Sequence, residues 1–184
     1  MPNQSQTYLD TLKILSSFFI LFSFVICCAL MLLRVPFLEL LGTSPNWLLI
    51  WLIASSLKKS VWQGAIAGLI AGWIYDAITH ATPSHAFAFI VVGVLTAGLQ
   101  KQKYTGEDFI SVAFIVFFMT IISETIFALQ YWRMHWLSIP EVLPKYQQIT
   151  IVSAIITSLW SPIFYYPFNF WERKIKQLEK KAIR

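Results

Sequence analysis

Charge is scarce in this chain. Of its 184 residues, 12% are charged and 57% are hydrophobic. A soluble globular domain carries roughly 25% charged residues, so these charges are too few to cover a water-facing surface. They are also gathered into short clusters between long uncharged runs, the pattern of a polytopic membrane protein. One compact bundle is expected, without a separate soluble domain. Cysteine is nearly absent too. Cys27 and Cys28 are adjacent inside the first apolar run. Helical neighbours point about 100° apart, so a mutual disulfide is not expected, and no metal-binding spacing exists. Both read as small packing or lipid-facing side chains.

Familiar catalytic signatures are missing as well. The sequence has no Walker-type phosphate loop, no HExxH and no GxSxG elbow. Its three histidines fall in or beside expected outer loops, far from mid-span serines, which argues against a serine–histidine hydrolase. The chain is therefore read as non-enzymatic, with no cofactor. The net charge of +5 does not indicate nucleic acid, because the cations sit at the ends of apolar runs.

What is abundant is apolar length. About twenty apolar residues cross the hydrocarbon core as a helix. The expected fold is all-α, a transmembrane bundle of about six helices near 12–33, 45–57, 61–78, 85–100, 109–132 and 149–168. The twenty uncharged residues from Ile14 to Leu33 exceed a signal h-region and lead to no small-x-small site, so they read as a retained span. The second segment is short. It reads as tilted, partly re-entrant, or extended by Leu40 and Leu41 across Pro45.

Flanking cations set the orientation. With the N-terminus inside, eleven cations fall inside: Lys13, Lys58, Lys59, Lys101, Lys103 and the six from Arg173 to Arg184. Three fall outside: Arg34, Arg133 and Lys145. Both termini are expected in the cytoplasm. Tyr131, Trp132 and Trp136 mark the outer end of segment five. Tyr165, Tyr166, Phe168, Phe170 and Trp171 mark the inner end of segment six. Residues 172–184 form a basic cytoplasmic tail, read either as lying on the inner surface or as a solvated helix end.

Gly64, Gly68, Gly72 and Asp76 follow one another at intervals of four residues on segment three. Residues at i and i+4 share a helix face. Three glycines in register make a groove that a second helix backbone can approach closely. That helix belongs either to this bundle or to a partner. Asp76 reads as a cap for the turn Thr79-His80-Ala81-Thr82-Pro83-Ser84, or as a metal ligand with His80 and His85. The spacing matches no strong zinc pattern. Glu124 lies mid-span in segment five, where a carboxylate marks a functional site by default. Ser153, Thr157 and Ser158 are its expected partners. The plain role is an interhelical hydrogen bond; the sharper one is a proton or substrate site. A lone acid without a second acid or base argues against a proton-driven pump.

Between Ser44 and Lys101 the sequence resembles the rod shape-determining protein MreD family. Pro45-Asn46-Trp47 opens a span, Lys58-Lys59 makes a basic turn, and the glycine stripe closes on Asp76. The outer turn after Asp76 departs from the family's Ser-Gly type. The resemblance implies a scaffold or regulator of bacterial cell elongation and peptidoglycan synthesis in the inner membrane. The partners it implies are MreC, the MreB filament, RodA and its transpeptidase. It also implies a fold similar to the substrate-binding subunits of energy-coupling-factor vitamin transporters. A small-molecule transporter subunit is thus the alternative function, with Asp76, His80, His85 and Glu141 as its available polar groups.

Overall fold

A computed structural model describes residues 4–33, 38–57, 59–99, 109–135 and 139–182. Arg34, Lys58, Lys101, Lys103, Trp136 and Arg184, which carry part of the charge and aromatic pattern, lie outside the described residues. Six helices follow in order: α1 (Gln4–Leu33), α2 (Trp47–Ser56), α3 (Val61–Thr79), α4 (Ala86–Leu99), α5 (Phe109–His135) and α6 (Ile139–Ala182). Among the described residues there is no strand beyond an isolated bridge between Leu40 and Thr43. Segments of α1, α3, α5 and α6 are long and apolar enough to cross a membrane.

The centre of the molecule is α2. It has ten residues, about 15 Å of helix, roughly half of a ~30 Å hydrocarbon core. A helix apolar all round belongs in an interior, and here Trp47, Leu48, Leu49, Ile50, Leu52 and Ile53 are all buried. The core around it takes in Cys27 from α1, Phe89 and Val92 from α4, and Val112 and Val116 from α5. Both cysteines are free.

The chain does not extend α2 backwards through Leu40 and Leu41. Leu40 and Thr43 exchange two backbone hydrogen bonds of 2.9 Å, and the residues between them, Leu41 and Gly42, both have positive φ. That is a tight reversal of the primed-turn kind. Asn46 then starts the helix, its side-chain oxygen accepting from the Leu49 N–H at 3.0 Å. This is ordinary N-capping. Ser60 and Gln63 form a capping box at the start of α3.

The last helix is much longer than residues 149–168. It runs 44 residues through Pro144, Pro162 and Pro167. Within a bundle, neighbouring helices and hydroxyl side chains satisfy the backbone groups that proline frees. The basic tail up to Ala182 continues α6 rather than forming a separate element. Its Ile175 is buried, as is Leu12 at the start of α1.

Candidate functional site

The glycine stripe faces α4. A Cβ on Gly64 would land on the Gly93 carbonyl oxygen and 3.1 Å from the Ala97 Cβ. One on Gly68 would strike the Phe89 carbonyl, its carbon 2.7 Å away. One on Gly72 would meet the backbone of Ala86, with the nitrogen at 2.9 Å. Gly93 is equally confined, by Gly64. As a groove for another protein's helix this face is already filled by α4. Within lipid, helix association draws on packing and hydrogen bonds rather than on the hydrophobic effect. Close backbone approach is therefore where attraction is gained.

Asp76 ends the stripe and joins the two helices a second way. Its carboxylate accepts from the Ser84 hydroxyl at 2.6 Å and from the His85 backbone N–H at 2.8 Å. The His85 Nδ1 lies 2.9 Å from Asp76 Oδ1. Ser84 also accepts from the Ala86 N–H at 3.1 Å. A carboxylate at the first turn of α4 meets unpaired amides and the positive end of the helix dipole. The His85 ring stacks on Phe127 of α5 at 4.1 Å and 18°, and Tyr75 lies 4.4 Å from it. The capping expectation thus takes this form, with α4 as the helix capped.

His80 sits elsewhere in function. It ends α3 in a left-handed conformation, with φ of 51°, a region in which histidine is enriched. Among the described residues no group of three or more His, Cys, Asp or Glu side chains stands close enough to hold a metal. Asp76 and His85, two of the polar groups named for a small-molecule pocket, bond each other. The side chain of Glu141 lies outside the described residues.

Glu124 meets α6. The Ser153 hydroxyl donates to its Oε1 at 3.4 Å, a long bond. The other two expected partners are used differently. Thr157 Oγ1 accepts the Asn46 backbone N–H at 3.1 Å, and Ser158 donates to the Ile155 carbonyl at 2.9 Å. Ser153, Thr157 and Ser161 are all buried and spaced four apart. They form a hydroxyl row that neither charge nor hydropathy patterning singled out. Its spacing was visible in the sequence. Trp47 packs on Trp160 and Phe164 beside it, at 5.9 and 5.2 Å.

Long apolar helices, with acids and hydroxyls spent on holding neighbours together, define a polytopic helical membrane protein. The family model for the rod shape-determining protein MreD matches residues 12–170. The chain belongs to that family, and a part in rod shape determination follows. No curated protein and no solved structure gives a significant match.

Proposed function

We propose that this chain is a non-enzymatic scaffold or regulator of the bacterial cell elongation complex. It sits in the inner membrane with both termini in the cytoplasm. MreC, MreB, RodA and the elongation transpeptidase are its partners, and peptidoglycan synthesis is the process it serves. The family match over residues 12–170 carries this reading. The bonds of Asp76 to Ser84 and His85 and of Ser153 to Glu124 support it, because they join neighbouring helices, as a scaffold requires.

Complementation in a rod-shaped host depleted of its own copy tests the proposal. The wild-type chain should restore rod shape and retain MreC through purification in mild detergent. Glu124→Gln should restore shape as well, because a neutral amide can still accept from Ser153. Round cells at normal Glu124→Gln protein levels would make Glu124 a chemical participant and end the non-enzymatic reading. A phosphatase reporter fused after Arg184 should stay silent if that end is cytoplasmic.

A further inference from the structure

A cavity of about 200 Å³ opens between α1, α2 and α6. Phe19, Phe22 and Ile26 line it from α1, Trp51 and Ala54 from α2, and Phe164 from α6. Ser23 is the polar side chain in its wall, and that hydroxyl is occupied. It donates to the Ile20 carbonyl at 2.8 Å and accepts from the Trp51 indole N–H at 3.1 Å. The walls therefore offer an occupant hydrocarbon contact and no free hydrogen bond. An apolar cavity of ~150 Å³ stays dry and takes up benzene, so this one favours hydrocarbon over water.

The setting narrows the occupant further. The mouth lies at Phe22 and Ile26, which are 56% and 38% exposed on the outer side of α1. In a membrane that side meets lipid tails. The cavity also reaches Pro167 and Phe168 on α6. Lys174 lies seven residues beyond Pro167, two helical turns and about 10 Å along the same face. Lys174 is exposed. A chain seated at Pro167 would thus place its headgroup near that cation.

We infer that the cleft between α1, α2 and α6 holds one acyl chain of an anionic phospholipid, with its phosphate held near Lys174. The site is independent of the shape-determining role. Phosphatidylglycerol is the matching probe and phosphatidylcholine the neutral control.

The full chain in vesicles containing tail-diazirine phosphatidylglycerol should give photo-adducts concentrated between Phe19 and Cys27 and between Phe164 and Phe168. Tail-diazirine phosphatidylcholine should give about five-fold fewer there, the factor that one Lys near an anionic headgroup supplies. Lys174→Ala should erase that preference. Ala54→Leu, which fills the cavity, should remove the adducts from both stretches while lipid-facing α5 keeps its own. The wild-type comparison stands even if Ala54→Leu fails to fold. Adducts spread evenly over all lipid-facing helices, or equal labelling by the two lipids, would overturn the inference.

Discussion

α3 and α4 meet backbone to backbone, whereas α1 leans on the same body through large side chains. Glycine at Gly64, Gly68, Gly72 and Gly93 brings the first pair together without a void. Asp76 then ties the pair at the turn with bonds to Ser84 and His85. At α1 the contacts are ring on ring: Phe19 on Trp171 at 5.1 Å and Phe24 on Trp51 at 4.6 Å. Large rings hold helices apart, and the cavity lies in the gap. Leu21, Val25 and Leu32 of α1 stay exposed. In a membrane such a helix is solvated by lipid as readily as by protein. The paired helices form a fixed unit, and α1 is a wall with an opening.

Three substitutions break or sharpen that contrast. Gly68→Leu should have the largest effect. Its side chain would meet the Phe89 backbone, which cannot rotate away, so about 3 kcal/mol or more of stability should be lost. A thermal melt in mild detergent reads this directly, and an unchanged midpoint would mean α3 and α4 do not pack as described. Asp76→Ala should come second. It strips the bonds to Ser84 and His85 and leaves the His85 amide unpaired, at a cost of about 2 kcal/mol by the same assay. Val25→Ala should be the smallest. Val25 is 55% exposed, and substitutions of that kind stay within about 0.5 kcal/mol. A loss comparable to Asp76→Ala would show that α1 is bound more tightly than its contacts imply.

The glycine stripe was readable because helical spacing alone puts i and i+4 on one face. Its counterpart was not, although Ala86, Phe89, Gly93 and Ala97 recur at three and four residues on α4. Pairing two helices requires knowing which neighbours touch, and spacing within one helix carries no such information. Pro162 and Pro167 lie inside α6, and the helix also runs past residues 149–168 at both ends, through Pro144 on one side and the charged tail on the other, where hydropathy falls and an apolar window stops. The packing of His85 was not legible, because its stacking partner, Phe127, is 42 residues away on α5. Asn46 was noticed as part of a motif. That its amide ends on Thr157 had no local signal at all.

That last bond has a bearing on biogenesis. Asn46 and Thr157 are 111 residues apart, so the acceptor leaves the ribosome long after the donor. Until then α2, about 15 Å long, is too short to be threaded across the bilayer by itself. Its buried side chains tie its place in the bundle to the helices around it. The last helix to be synthesised supplies the hydroxyl on which the starting amide of the innermost one comes to rest.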